Sequence, residues 1–236
     1  MASAGARVVL AAHDIRYDLS LSEAHGDTIA ASGGMHYRVE DRCDAWGTQQ
    51  RLMLRTVARS GVVTEMVSDY ATLERKDGRD FLFETRQSVD GRLTSRIAGE
   101  ARREADGVVS VYYSRPEVRR VVLPKGVLFP LAHTAAIVSA AEGGRRDLAP
   151  DLFDGTSAEG ALRTYVTIQG WSGLGTGASG RVHVAFFEPK GGMTPDFSLG
   201  ARYFADGVSD RLAMDFGDFT LAGDEVSFRR LPGCGR

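Results

Sequence analysis

Apolar and polar side chains alternate with a period of two through most of this chain. In "LAAHDIRYDLSL", residues 10–21, Ile15, Tyr17, Leu19 and Leu21 share one face while Asp14, Arg16, Asp18 and Ser20 share the other. That period marks a half-buried strand. The habit recurs in "TIAASGGMHYRVE", "QQRLMLRTVA", "VVTEMVSDYATLERK" and "DFLFETRQS", the last of which aligns Phe81, Phe83 and Thr85. It continues through "RLTSRIAGEARRE", "VVSVYYSR", "LRTYVTIQG", "RVHVAFFE", "FSLGARYFADG", "DRLAMDFGDFTLAG" and "EVSFRRL". Turn signals separate these runs at Gly26-Asp27, Lys76-Asp77-Gly78, Val89-Asp90-Gly91 and Asp106-Gly107. Glycine after aspartate accepts the positive φ of a tight hairpin. Roughly a dozen or more strands at such spacing predict an all-β barrel or sandwich.

One segment breaks the alternation. "PLAHTAAIVSAAEGG" has Pro130 at a helix start and Gly143-Gly144 at its end, with Leu131, Ala135 and Val138 on one face. It predicts a helix near 130–142, laid on or across the sheet, plugging one end or covering an exposed edge. No long linker and no clean internal repeat divides the chain. The expected organisation is a flexible N-terminal remnant, residues 1–9, followed by a single domain over 10–236.

Composition adds exclusions. With 29 basic and 31 acidic residues, a net charge of −2 offers no surplus for phosphate backbones, so nucleic acid is not an expected partner. No apolar run reaches the length of a membrane span. The opening "MASAGARVVL" lacks the charged start and long apolar stretch of a signal peptide, although "ASA" resembles the small-residue end of one. Two cysteines, Cys43 and Cys234, have no zinc-site spacing with the scattered histidines. They read either as two free thiols or as a disulfide closing about 190 residues, worth roughly 5 kcal/mol by chain entropy. A disulfide would place the protein in an oxidising compartment such as the periplasm.

The candidates for chemistry are few. His13 and Asp14 are neighbours on a strand, so their side chains leave on opposite faces and a dyad would need another partner for each. A strand-start histidine with a satisfied hydrogen bond is the expected reading of His13. "GTGASG", residues 175–180, matches the dinucleotide fingerprint by letter, but "RVHVAFFE" after it alternates like a strand where a helix is required. A glycine-rich hairpin tip and no cofactor is the expectation. No nucleophile elbow, zinc-protease motif or phosphate loop is present. His36, His133 and His183 fall on a strand, on the helix and on a late strand. Catalysis would require His13, His36, His133 or His183 to meet a carboxylate and a nucleophile in one cleft.

Binding has more support. Phe81, Phe83, Tyr112, Tyr113, Phe186, Phe187, Phe197, Tyr203 and Phe204 either fill a core or line an apolar cavity under the helix. The adjacent pairs Tyr112–Tyr113 and Phe186–Phe187 put one member on each face of their strands. One of each pair must therefore meet solvent, a ligand, a partner or the helix. His13, Tyr17, Trp46, Phe81, Phe83, Tyr112, Tyr113, Phe186, Phe187 and Tyr203 form the expected ligand or partner surface.

Taken in order, "LAAHDIRYDLSL", "GMHYRVEDRCDAWGTQQRL", "GRDFLFETRQSVDG", "LPKGVLFPLAHTAAIVSAAEGG" and "FSLGARYFADGVSDRLAMDFGDFTLAGDEVSFRRL" resemble the EipB-like cell-envelope integrity family, over almost the whole chain. The resemblance implies a periplasmic β-spiral of alphaproteobacterial type, an incompletely closed, rolled antiparallel sheet. It implies a disulfide between Cys43 and Cys234. It also implies a non-enzymatic role in envelope maintenance and stress resistance, with a tetratricopeptide-repeat protein as partner. This sequence departs from the family in lacking a secretion signal and in carrying Asp14 where the first motif has a basic residue. A scaffold or binding protein is thus the leading expectation. A carrier of a lipid or lipoprotein acyl chain in the curved sheet is the second.

Overall fold

The computed structural model describes residues 8–173 and 175–234. The first seven residues, most of the expected N-terminal remnant, lie outside it. Val8 is described, and packs beside Val138, Ala178 and Ala205.

Eight strands precede the helix: β1 (His13–Ala24), β2 (Thr28–Asp41), β3 (Ala45–Ala58), β4 (Val63–Arg75), β5 (Asp80–Val89), β6 (Arg92–Arg103), β7 (Val109–Arg115) and β8 (Arg119–Leu123). The helix α1 spans Pro130–Glu142. Seven strands follow it: β9 (Asp147–Leu148), β10 (Asp151–Leu152), β11 (Leu162–Ser172), β12 (Ser179–Phe187), β13 (Phe197–Phe204), β14 (Ser209–Asp215) and β15 (Phe219–Arg230). Among the described residues they form one 15-stranded sheet in the order β10-β11-β12-β13-β14-β15-β1-β2-β3-β4-β5-β6-β7-β8, with β9 on β11. Every strand pairing is antiparallel, and β15 pairs with β1, so the two halves of the chain join through its ends.

Rolling the sheet brings its two edges together without pairing them along their length. A single parallel bridge, Leu128 to Leu152, tethers them. Leu128 N–H donates to Asp151 O at 2.8 Å, and Phe153 N–H donates to Leu128 O at 2.9 Å. The loop after β10 lies across the remaining gap: the Tyr113 hydroxyl donates to Ser157 O, and the Tyr70 hydroxyl donates to Asp154 O. The architecture is all-β, as the alternation predicts, and it is the incompletely closed spiral that the resemblance implies, in place of the closed barrel or sandwich read from strand spacing.

Register fixes which residues look inward. The set His13, Ile15, Tyr17 and Leu19 on β1 continues across β2 as Val39, Tyr37, Met35 and Gly33, then across β3 as Thr48, Gln50, Leu52 and Leu54. A one-residue slip would turn all of these outward. The inner face carries two large clusters. Phe81, Phe83, Val109, Val111, Tyr113, Phe129 and Phe153 pack at the β5–β7 side, and Ile15, Leu19, Leu52, Leu54, Leu212 and Leu221 at the β1–β15 side.

The helix lies against this inner face. Ile137, Ala140 and Ala141 pack on Leu148, Val166, Ile168, Val182 and Val184, while Val138 meets Ala178 and Ala205. Single-face packing through Leu131, Ala135 and Val138 is therefore only part of the arrangement. Ala135 is half-buried, and the side with Ile137 and Ala141 is buried as well. A helix inside a rolled sheet has protein on several sides, so its apolar residues need not form a single stripe.

Its N terminus has no cap of its own, because Phe129 occupies that position. Glu74, on the inner face of β4 and 2% exposed, supplies the acceptors: Leu131 N–H donates to Oε2 at 2.7 Å and Ala132 N–H to Oε1 at 2.8 Å. Two otherwise orphaned donors are thus satisfied by a side chain 57 residues upstream of Leu131.

The Cys43–Cys234 disulfide joins the β2–β3 turn to the chain beyond β15, with Cα atoms 4.9 Å apart. Asp41 sits beneath it, accepting from Cys43 N–H at 2.9 Å and from Lys76 Nζ at 2.5 Å. Burial alone would raise the Asp41 carboxyl; Lys76 and the two cysteine N–H groups hold it below its ordinary value.

Candidate functional site

The ten residues expected to form one surface are distributed among several places. His13 is buried inside the spiral, where its Nδ1–H donates to Ala11 O at 2.7 Å and its ring contacts Tyr37 and Phe228. Burial lowers its pKa. Tyr17 is also internal, its hydroxyl donating to Ser209 O. Trp46 lies under the Lys76 ammonium, 4.2 Å from its ring centroid, and so belongs to the disulfide end. Phe81 is wholly core, stacked on Phe129 at 4.9 Å. Phe186 begins an inner-face row with Phe197, Phe216 and Phe219, with successive centroids 5.6, 5.2 and 5.1 Å apart. Phe187 meets Arg163 at 5.6 Å, and Tyr203 is a half-buried inner residue.

Phe83, Tyr112 and Tyr113 do converge. They border an open groove of about 680 Å³ across β4–β7, whose outward side chains include Ala71, Leu73, Leu82 and Ala98. Alternation explains the wall: Phe83 and Tyr113 are buried in the core below, while Leu82 and Tyr112 are 47% and 41% exposed above. Val118, 90% exposed, stands at the margin in the turn after β7. The small Ala71 and Ala98 leave the depression between these larger groups.

Gly99 completes the floor. A Cβ there would strike the Tyr112 carbonyl oxygen and come within 2.9 Å of the Phe83 ring. Gly99→Ala should therefore cost about 2 kcal/mol through overpacking, read as a lower denaturant midpoint with an unchanged slope.

Opposite charges edge the groove. Glu84 accepts from Arg86 Nε at 2.8 Å and Arg96 Nε at 2.9 Å, contacts that hold its carboxyl below its ordinary value. Arg120 lies 5.2 Å over the Tyr112 ring and donates to Ser110 Oγ, orienting the aromatic face.

The histidines do not meet. His36 Nε2 is 2.9 Å from Asp14 Oδ1 on the outer face of β1–β2, and Arg38 and Arg229 share that carboxylate. Burial alone would raise the Asp14 carboxyl; His36 and Arg38 hold it below its ordinary value. No serine, threonine or cysteine joins this group among its described side-chain hydrogen bonds. His133 is buried on α1, 3.1 Å from Thr164 Oγ1. Because that hydroxyl donates to Pro150 O, His133 Nε2 must carry the hydrogen; burial lowers its pKa to about 4. His183 is exposed on β12. The glycines of "GTGASG" form a short 3₁₀ turn at Gly175–Gly177 that leads straight into β12, so no helix N terminus is available for a pyrophosphate. Among the described residues no helix is long and apolar enough to cross a membrane.

A rolled sheet tethered at its edges, an internal helix and a disulfide from the β2–β3 turn to the C-terminal segment define a β-spiral protein with an apolar groove on its outer wall. The EipB-like family profile matches residues 4–232. The chain therefore belongs to the EipB-like family. It is 29% identical over 243 residues to the cell envelope integrity protein EipB of Brucella abortus (strain 2308), covering 95% of this chain and 86% of that protein. The crystal structure of a beta-barrel-like protein of the domain of unknown function DUF1849 from Brucella abortus superposes with a TM-score of 0.88 at 25% identity, covering 95% of this chain and 100% of the other. The relative's name supports an envelope-integrity role for this chain.

Proposed function

We propose that this chain is a non-catalytic periplasmic scaffold that supports the cell envelope by docking a protein partner in the β4–β7 groove. The observation carrying this reading is the apolar surface of Leu82, Tyr112 and Val118 around a 680 Å³ depression on the outer wall. Contiguous apolar surface with a polar rim is characteristic of interaction sites. The Cys43–Cys234 disulfide favours an oxidising compartment. The partner put forward is a periplasmic tetratricopeptide-repeat protein, the class that the family resemblance suggests.

One observation favours a second reading. Phe197, Phe216, Phe219, Met35 and Met66 are only partly covered on the concave face, which would suit an acyl chain. Lipid extracted stoichiometrically from native protein would support that carrier.

Complementation separates the readings. In cells deleted for this gene, Leu82→Glu/Tyr112→Glu should yield folded protein that fails to restore detergent resistance, because both side chains lie outside the core. Full restoration by this variant would reject the groove as the working surface.

A further inference from the structure

We propose that a second cleft, at the end of α1, binds an organic phosphate. The cleft has a volume of about 540 Å³ and lies between the helix C terminus and the far end of β11, bordered by Arg145, Arg146, Gln169, Trp171, Ile168 and Ala141. Gly144 and Gly170, at φ 75° and 62°, carry no side chains into its mouth.

The charge arrangement identifies the ligand. Arg145 and Arg146 are adjacent and exposed, and among the described residues neither forms an ion pair with a carboxylate. The recorded side-chain bond of Arg145 is from Nη2 to Asp147 O at 3.1 Å. Nor are these guanidiniums needed to cap the helix. Gly143 N–H donates to Ser139 O, Gly144 N–H to Ala141 O and Arg145 N–H to Ala140 O, all at 2.9–3.0 Å. Two neighbouring cations without a counter-ion repel each other, and an oxyanion between them removes that cost. Guanidinium forks match phosphate oxygens bidentately, and the Gln169 amide adds a further donor.

The opposite wall calls for an organic body. Trp171 is half-buried and packed against the α1 core, so its ring is held in place beside Ile168 and Ala141. A bare anion would leave that wall and most of the volume unused. A phosphate ester fits both halves, whether it is a free metabolite or the headgroup of an anionic lipid.

Trp171 is one of only two tryptophans, so Trp46→Phe makes it the sole indole reporter. Glycerol phosphate, inorganic phosphate and vesicles of phosphatidylglycerol or phosphatidylcholine are the probes, with phosphorus NMR of glycerol phosphate on the unaltered protein as an independent reading. A saturable emission change is expected with glycerol phosphate, with phosphatidylglycerol vesicles, or with both. Arg145→Gln/Arg146→Gln, at exposed positions, should keep the melting temperature and weaken binding by about tenfold or more. A response to glycerol phosphate alone assigns a soluble ester; a response to the anionic vesicles alone assigns a headgroup. Silence of glycerol phosphate by both methods together with silence of phosphatidylglycerol vesicles by emission, an equal response to phosphatidylcholine vesicles, or undiminished binding by the double variant would overturn the proposal. Equal affinity for inorganic phosphate would overturn the organic part of it.

Discussion

Cys43→Ser should lower the melting temperature by about 10 °C or more, and reduction of the unaltered protein should do the same. The bond spans 191 residues, and chain-entropy closure of that length restricts the unfolded ensemble by about 5 kcal/mol. The native side adds to this. Asp41 gathers Cys43 N–H and Lys76 beneath the bond, so loosening the clasp also loosens the carboxylate's partners. Cys234→Ser should match Cys43→Ser, and the double variant should be no worse than either, because all three delete one constraint. An unchanged melt would show that the pairing of β15 with β1 and β14 already holds the C terminus.

The second large effect is expected at Glu74. Removing its carboxylate leaves two helix donors buried without acceptors and opens a void, so Glu74→Ala should cost about 3 kcal/mol near pH 5. The pH dependence has a definite sign. Burial lifts the Glu74 carboxyl to about 7 from an ordinary 4.5, against the pull of its two N–H donors. The folded state therefore holds the proton more tightly than the unfolded one. Its stabilising contribution is full below about pH 4.5 and is lost as pH rises through 7. His133 has the opposite sense: its pKa falls to about 4 from 6.5, so its contribution is present above 6.5 and is lost as pH falls through 4. That contribution is common to both proteins and cancels in their difference. Denaturation of the two proteins at pH 5 and pH 8 should thus show a smaller gap at pH 8. A gap that widens towards pH 8 would show that the ionised carboxylate, through its helix bonds, is the stabilising form.

Period-two alternation made most of the spiral legible. It oriented Ile15, Tyr17 and Leu19 inward, and the helix from Pro130 to Glu142 fell where its proline and glycines predicted. Alternation also anticipated that Tyr112 and Tyr113 would take opposite faces, without saying which of them would be the buried one; the fold buries Tyr113 and exposes Tyr112. It could not anticipate where the faces would meet. Phe186 and Phe187 are both half-buried, because one joins the inner aromatic row and the other lies against Arg163. Trp46 resembled a surface aromatic until the fold brought Lys76 over it. The cysteine pairing rested on the family resemblance, since two cysteines alone also read as free thiols.

Glu74 went unrecognised because "ATLERK" reads as the charged end of a strand. Two signals were nevertheless present. Glu74 keeps phase with Tyr70 and Thr72 on the inner face, and the helix begins at Phe129-Pro130 with no serine, threonine or aspartate to cap it. An uncapped helix requires an acceptor from elsewhere, and an inward glutamate requires a donor. Arg145 and Arg146 were obscured in the same way, because charges after Gly143-Gly144 look like an ordinary helix stop. Only the approach of β11 turns them into the side of a cleft.

The most direct test of the docking groove is photo-crosslinking in the periplasm of living cells, with a photoreactive phenylalanine analogue at Tyr112 and, as control, at the outward-facing Met53 on β3. A discrete protein adduct at position 112, absent at position 53 and lost when Leu82→Glu is added, is the expected result. No discrete adduct at position 112, or the same adduct from both positions, would contradict a partner seated in the β4–β7 groove.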